Sequence, residues 1–406
     1  MQHLGGDLIS PMVILYNLAC VGLVGLWATR DKHQIENWVR QADHRIWWGV
    51  FLLTLLISLS ANLTFLTTDV EDAIISACKA FVNDGSNPYQ DLVVVHHLND
   101  QDVLGLYHYF PTDLLVYSLF YVTFGKMLDP LAFEVGVPDQ MMFELTFEGT
   151  WFLIANSIFL GLSYIITRKV LPEIPDKRLL PIFGFVVSFF LFTNSALMVL
   201  YFVLGLYCFL NLKHQLRHDA GVVSYIASAG VKYVTGLFLV VQFVEETLAV
   251  RKIGDLRFLR PYLVGGAFFL LTILPFGALE VLEATFIYQG AVEERSSIAG
   301  VYGPLLVEVA LVLGLFEYYT IIFLIASVVT FGIAFYVGKN TYERQMWWTF
   351  LLFFVLPFYA TEMFVIPVLL WLFAIFGKEF NFPSSSYWFT DELREGENFS
   401  TTATEA

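Results

Sequence analysis

Residues 47–72 read WWGVFLLTLLISLSANLTFLTTDVED. The run up to residue 67 is long and apolar enough to cross the hydrocarbon core of a bilayer, which takes roughly 20 apolar residues. Three carboxylates, Asp69, Glu71 and Asp72, follow it directly. A helix that only anchors a protein needs no acids crowded at its end. This junction therefore predicts a membrane span that leads into a site at the membrane surface.

The rest of the chain repeats this pattern of long apolar runs separated by shorter polar segments. Of its 406 residues 57% are hydrophobic, and the mean hydropathy is +0.66. We expect an all-α fold, a polytopic membrane helix bundle of about 10–12 spans. The expected spans are 10–29, 47–67, 112–128, 150–167, 180–194, 196–213, 221–247, 258–278, 318–338, 346–360 and 361–377. A further apolar helix at 304–316 is too short to cross alone.

No hydrophilic stretch is long enough for a separate soluble domain, so residues 1–378 are expected to form a single transmembrane domain. Residues 379–406, rich in Ser, Thr and Glu, are expected to be a mobile acidic tail. The net charge of −15 argues against nucleic acid as a partner. The three cysteines are dispersed and give neither a disulfide framework nor a zinc spacing. No motif for a metal or a cofactor stands out.

Basic residues in short loops predict the orientation of the spans. The 30–46 loop carries four of them and is therefore expected in the cytoplasm. Residues 69–111 are then external. The chain is expected to be a multi-pass protein of the cell membrane whose site faces outside.

Two segments do not fit a simple count of crossings. Residues 221–247 have basic loops on both sides, which predicts two broken half-helices that meet near residues 230–233. The loop at 168–179 is also basic. Either residues 126–149 contain an extra re-entrant piece, or this loop breaks the charge rule.

The external loop is expected to carry an interfacial helix. Residues 71–81 have helical spacing, with Ala73, Ala77, Ala80 and Phe81 expected to face the membrane. The Gly and Pro of residues 85–88 end this helix. Its carboxylates could accept a proton during attack by a hydroxyl, or they could stabilise the helix dipole.

Four segments of this loop carry a resemblance to a known family. They are Thr-Asp at 68–69, Ala-Cys-Lys-Ala-Phe-Val at 77–82, Gly-Ser-Asn-Pro-Tyr at 85–89 and Tyr-His-Tyr-Phe-Pro at 107–111. Together they resemble the first external loop of GT-C-type glycosyltransferases. The most similar subgroup is the polyprenyl-phosphate-mannose-dependent mannosyltransferases and their archaeal relatives. Further along, residues 192–197, 227–233 and, more weakly, 288–300 resemble other regions of that family.

The resemblance implies a transferase for mannose or another hexose, with a polyprenyl or dolichyl phosphate as the sugar carrier. The acceptor would be a hydroxyl of a glycolipid, a lipid-linked glycan or a protein. Displacement would proceed with inversion, and an external carboxylate would be the base. The order of candidates is Asp69, then Asp72, then Glu71, because membrane position favours the first while motif spacing leaves the others open.

Other side chains are candidates for binding the phosphate and sugar of the donor. Lys232 is the only basic residue of its apolar run, and a cation inside a span is by default functional, with snorkelling as the alternative. A histidine pair can equally be a surface pair, and lone tyrosines are often interfacial anchors. The complete candidate set is Lys232, His108, Arg295, His96, His97, Tyr89, Tyr109, Asn194, Tyr288 and Gln289.

Two other functions are compatible with the sequence. A transporter or flippase for a lipid-linked or polar solute would use broken helices with Lys232 at their centre. A non-catalytic subunit with the same fold is the third candidate, because residues 192–193 and 234–235 depart from the family's Gly-Gln and proline.

Overall fold

The fold of the chain is described from a computed structural model. The structure describes residues 32–65, 69–98, 101–130, 132–137, 141–146, 149–211, 216–249, 257–290, 310, 313–353, 355, 366, 368–370 and 372–373. The described part is mostly helical, in agreement with the all-α prediction. The expected span at 10–29, Arg295 and the tail at 379–406 lie outside the described residues, as does most of 304–316 and 361–377.

The described residues form thirteen α-helices of ten or more residues and four strands. The helices are α1 (Lys32–Gln41), α2 (His44–Phe65), α3 (Asp69–Lys79), α4 (Pro111–Phe120), α5 (Thr150–Val170), α6 (Asp176–Val187), α7 (Ser195–Asn211), α8 (Leu216–Ala229), α9 (Gly236–Ala249), α10 (Arg260–Ile273), α11 (Ala278–Gly290), α12 (Tyr319–Val337) and α13 (Thr341–Phe353). The strands are β1 (Val94–Leu98), β2 (Gln101–Gly105), β3 (Ala132–Val137) and β4 (Met141–Thr146).

Several helices continue into tighter or wider turns. A π-helical turn, Ala80–Asp84, extends α3, and a second, Tyr121–Gly125, extends α4 into the short helix Lys126–Leu128. A 3₁₀ turn, Ser188–Phe192, follows α6. These changes of helical pitch divide apolar segments that the sequence predicted as single spans.

Helix α3 is present where the sequence predicted a helix, but its small-residue face is not turned to lipid. Ala73, Ala77 and Cys78 are completely buried, and the helix packs against β1 and α4. Small side chains allow backbones to approach closely, so this face forms a packing surface. The prediction that Ala73 and Ala77 face the membrane was wrong.

Two antiparallel hairpins occupy segments that the sequence predicted as loops. Strands β1 and β2 pair His96 with Val103 and His97 with Asp102. Strands β3 and β4 lie within residues 126–149, where an extra re-entrant piece was one of two alternatives. What the structure describes there is a pair of antiparallel strands, 132–137 and 141–146.

The predicted break near residue 230 is confirmed. Helix α8 ends at Ala229 and α9 begins at Gly236, with a 3₁₀ turn at Tyr233–Thr235 between them. The backbone N–H groups of Val231 and Lys232 both donate to the carbonyl of Ser228, at 3.0 Å. Helices α8 and α9 therefore contact each other as separate rods.

The buried apolar side chains form one core that runs from Val39 to Phe373. Helix α7 packs between α5 and α8, and α8 also contacts α10. Helix α2 packs on α6, and α9 and α12 both pack on α13. This arrangement brings the N-terminal end of α4 towards the break after α8.

Many large apolar side chains remain exposed on the outer faces of α2, α4, α10 and α12. Among the described residues one helix, Thr150–Val170, is long and apolar enough to span a membrane by itself. The pair Arg260–Phe276 and Ala278–Thr285, bent by 95°, gives a second if it counts as one span.

Candidate functional site

The Gly-Ser-Asn-Pro-Tyr segment is held against the end of α10 by its asparagine. Asn87 Nδ2 donates to the carbonyl of Phe276 at 2.9 Å. Its Oδ1 accepts from the backbone N–H of Tyr89 at 3.2 Å, and its own N–H donates to Asp91 Oδ2 at 2.9 Å. One side chain thus closes a local turn and ties it to a residue far along the chain.

Tyr89 joins this turn to the Tyr-His-Tyr-Phe-Pro segment. Its hydroxyl donates to the carbonyl of Tyr109 at 2.6 Å, and Tyr107 N–H donates to the carbonyl of Pro88 at 2.7 Å. The rings of Tyr89 and Tyr107 meet edge to face, with centroids 5.5 Å apart. Tyr89 is only 2% exposed, so its ring positions the loop and leaves no open face for a sugar.

Asp113 is a completely buried carboxylate in the first turn of α4. Its Oδ2 accepts from the hydroxyl of Tyr107 at 2.9 Å and from Asn194 Nδ2 at 2.8 Å. Pro111 is the first residue of the helix, a position where a backbone N–H would have no partner within the helix, so proline removes no hydrogen bond there. The helix dipole favours a negative charge at this end.

Lys232 brings a positive charge to the same place from the break between α8 and α9. The side chain is half-buried, and it attracts the carboxylate of Asp113 electrostatically. The neighbouring Gly230 abuts α4, because a Cβ on it would stand 2.7 Å from Thr112 Oγ1. Three distant segments therefore meet in one group of residues, which we call the Asp113 cluster: Tyr107, Thr112, Asp113, Asn194 and Lys232.

Three buried polar atoms of this cluster make no hydrogen bond to any residue that the structure describes. They are Thr112 Oγ1, Asp113 Oδ1 and Asn194 Oδ1. Leaving a buried polar group unsatisfied costs about 1–3 kcal/mol. Three such atoms in one cluster indicate a place that is completed by water or by a ligand.

Of the two candidate bases whose side chains the structure describes, Glu71 is the more deeply buried. It is 8% exposed, and its Oε1 lies 3.0 Å from the position that a Cβ on Gly149 would take. Burial, and then repulsion by Asp72, raise the pKa of Glu71 to about 7. A general base works best with a pKa near the working pH.

The other two acids differ in what is described of them. Asp72 is half-buried on the same helix, and its side-chain Oδ2 is shielded from solvent. Asp69 begins α3, but its side chain lies outside the described residues. The sequence ranked Glu71 third, because neither membrane position nor motif spacing contains information on burial.

The remaining candidates are spread more widely. His108 is 4% exposed and lies against the ring of Tyr109, with centroids 4.2 Å apart. His96 and His97 belong to β1, and Tyr288 and Gln289 belong to α11, but their side chains lie outside the described residues. The described residues contain no group of three His, Cys, Asp or Glu side chains that could hold a metal.

Sequence reasoning missed Asp113 and Thr112. The signal was present, because Asp113 falls within the expected span at 112–128 and an acid inside a span is by default functional. In the sequence, this rule identified Lys232 as a functional candidate but not Asp113. The structure adds that these two charges of opposite sign belong together.

Comparison with known proteins found no match among family models, curated proteins or solved structures. Inferences about function therefore depend on the residues, on their geometry and on the resemblance of the sequence segments.

Proposed function

We propose that this chain is a membrane-embedded glycosyltransferase. It takes a hexose, such as mannose, from a polyprenyl or dolichyl phosphate and transfers it to a hydroxyl acceptor on the external face of the cell membrane. The acceptor is a glycolipid, a lipid-linked glycan or a protein. The proposal includes a polytopic bundle of the GT-C type, in which residues 69–111 form the external loop.

The observation that carries this proposal is the Asp113 cluster. Asn194 and Lys232 were expected to bind the donor, and they lie in residues 192–197 and 227–233, two segments that resemble regions of GT-C enzymes. Both side chains lie next to the Tyr-His-Tyr-Phe-Pro segment, which carries the resemblance in the external loop. Segments that resemble one family independently, and that also meet in space, support a common function.

The membrane setting is supported by the apolar surface. Leu52, Leu53 and Leu56 on α2 are at least half exposed, and so are Ile321 and Val328 on α12. Soluble proteins rarely expose contiguous apolar surface on several long helices. Lipid is the environment in which such faces are stable.

The proposed reaction is a single displacement. The acceptor O–H gives its proton to the carboxylate of Glu71, and its oxygen forms a bond to the anomeric carbon. The bond from that carbon to the phosphate oxygen breaks, and its electron pair leaves with the lipid phosphate. The configuration at the anomeric carbon is inverted. Lys232 stabilises the charge that grows on the leaving phosphate.

The proposal is tested with the full chain in lipid nanodiscs, membrane extract as acceptor and radiolabelled polyprenyl phosphate carrying mannose, glucose or galactose. We expect transfer with at least one donor and a loss of about 10²-fold in Lys232→Met. The control is Lys126→Met, which removes an exposed lysine. Absence of transfer and of donor binding with all three sugars would refute the proposal.

A transporter of lipid-linked or polar solutes is a second candidate, favoured by one observation. Lys232 lies in a break between two helices, and broken helices at a buried charge are characteristic of transporters. Uptake of labelled donor into sealed proteoliposomes without breakage of its sugar–phosphate bond would favour this function.

A further inference from the structure

The Asp113 cluster has two chemically different sides. On one side is the ammonium of Lys232, which donates hydrogen bonds and attracts anions. On the other are the unsatisfied oxygens of Asp113, Asn194 and Thr112. Asn194 Oδ1 only accepts hydrogen bonds, Asp113 Oδ1 only accepts them when its carboxyl is ionised, and Thr112 Oγ1 both donates and accepts. A ligand that completes this second side must bring O–H or N–H donors.

We propose that Asp113 Oδ1, Asn194 Oδ1 and Thr112 Oγ1 form a subsite that binds sugar hydroxyl groups, next to the phosphate pole at Lys232. The subsite rests on the proposed function for its ligand class, a hexose on a lipid phosphate. The sequence named Asn194 among the candidates for binding the donor, but it assigned no role to Asp113 or Thr112.

Charge decides between a sugar and the other occupants. A phosphate would be repelled by the carboxylate of Asp113 at this side of the cluster. A small cation would be repelled by Lys232, which already attracts Asp113. A hydroxyl is neutral, and its hydrogen bond to a charged acceptor is among the stronger ones. A polyol therefore satisfies the three oxygens without adding charge.

The second oxygen of Asp113 keeps the subsite in place. Oδ2 is held by the Tyr107 hydroxyl and by Asn194 Nδ2, which fixes the carboxylate plane. The same bond orients the amide of Asn194, so its Oδ1 has a defined direction. Gly230 lies directly against Thr112, since a Cβ on Gly230 would stand 2.7 Å from Thr112 Oγ1, so the break after α8 fixes the position of the third oxygen.

The experiment separates sugar from phosphate with three probes. The full chain in nanodiscs is titrated with dodecyl phosphate, with dodecyl hexosides and with dodecyl phosphate hexosides, each hexose being mannose, glucose or galactose. The variants are Asp113→Asn, Thr112→Val and Gly230→Ala, the last of which places a Cβ 2.7 Å from Thr112 Oγ1 and leaves every hydroxyl-binding atom present. Asp219→Asn and Thr349→Val are matched controls, because each alters a buried residue outside the cluster.

We expect Asp113→Asn to weaken binding of a hexoside roughly tenfold to a hundredfold, and Thr112→Val and Gly230→Ala roughly threefold to tenfold. Binding of dodecyl phosphate should change by less than about twofold in Thr112→Val and Gly230→Ala and should strengthen in Asp113→Asn, which removes the repelling carboxylate, whereas Lys232→Met should weaken it roughly tenfold. Each variant is first checked for the elution volume and thermal unfolding of the parent.

The subsite is refuted if the wild-type chain binds no hexoside, if the three variants weaken phosphate and hexoside alike, or if they change neither. Hexoside binding that disappears when choline replaces Na⁺ would identify a cation site and would also overturn it. Hexoside binding with the expected pattern, but no transfer to any acceptor, would refute the proposed function and leave the subsite standing.

Discussion

Asn194 Nδ2 donates a hydrogen bond of 2.8 Å to Asp113 Oδ2, which joins two buried side chains 81 positions apart in the sequence. This bond connects the start of α4 to the start of α7, and both residues are completely inaccessible to solvent. It is the central contact of the candidate site, and Tyr107 is the second donor to the same oxygen.

Tyr107→Phe should lower transferase activity about tenfold or more, because it removes the second donor to Asp113 Oδ2. Tyr117→Phe is a closely matched control. Both tyrosines are completely buried, and the hydroxyl of Tyr117 donates to Asn156 Oδ1 at 2.5 Å. The two variants should lose similar stability, about 1 kcal/mol each, measured by chemical denaturation. Equal losses of activity would contradict a special role for Asp113.

Glu71→Gln should lower the rate of sugar transfer by about 10²–10⁴-fold if Glu71 is the base. In the wild-type chain, the rate should rise with pH around the raised pKa of Glu71, about 7, because the base must be ionised. Asp69→Asn and Asp72→Asn test the two alternatives under the same conditions. A rate that survives Glu71→Gln but not one of these would reassign the base.

The same carboxyl makes stability depend on pH. The folded pKa of Glu71 lies above its ordinary value of 4.5, so the folded chain holds this proton more tightly than the unfolded chain. Its contribution is intact below pH 4.5 and is lost as pH rises through about 7. At pH 8, Glu71→Gln should stabilise the chain by roughly 3 kcal/mol, and at pH 4 it should have little effect. Denaturation at both pH values measures the difference.

Gly149→Ala should destabilise the fold and disturb Glu71. Gly149 has a φ of 78°, which non-glycine residues rarely adopt, and its added Cβ would stand 3.0 Å from Glu71 Oε1. We expect a loss of about 1–3 kcal/mol. Gly161→Ala is the control on the same helix α5, since no atom lies within 4 Å of its added Cβ. That variant should be neutral or stabilising by about 0.5–1 kcal/mol.

Arg344→Met should destabilise the chain by about 3 kcal/mol, because it leaves the buried carboxylate of Glu245 without its partner. Arg344 Nη1 lies 2.6 Å from Glu245 Oε1, and Thr341 also donates to Glu245. Adding Glu245→Gln to Arg344→Met should recover most of the loss.

The control for this pair is Arg168→Met. Arg168 pairs with Asp176 at the surface, where both side chains are about half exposed, so its loss should cost less than about 1 kcal/mol. Comparable losses for Arg168→Met and Arg344→Met would contradict the burial argument.

Local patterns in the sequence predicted the helices and the break at residues 230–235, because apolar period and flanking basic loops are local signals. The hairpins were missed because β1 is only five residues long and lies within a polar loop. The buried face of α3 was misassigned because small residues suit both lipid and close packing. Asn194 was predicted from a resemblance and Lys232 from a positive charge inside an apolar run. The pairing of Asp113 could be identified only from the fold, since its partner Asn194 lies 81 positions away in the sequence.

The hydrogen bond from Asn87 to the carbonyl of Phe276 has a mechanical consequence. Phe276 immediately precedes Gly277, where the chain takes a left-handed φ of 86° and turns by 95° into α11. Asn87 therefore ties the residue before this bend to the turn that Tyr89 joins to Tyr109. Two hydrogen bonds thus connect the bend between α10 and α11 to the segment that leads into α4.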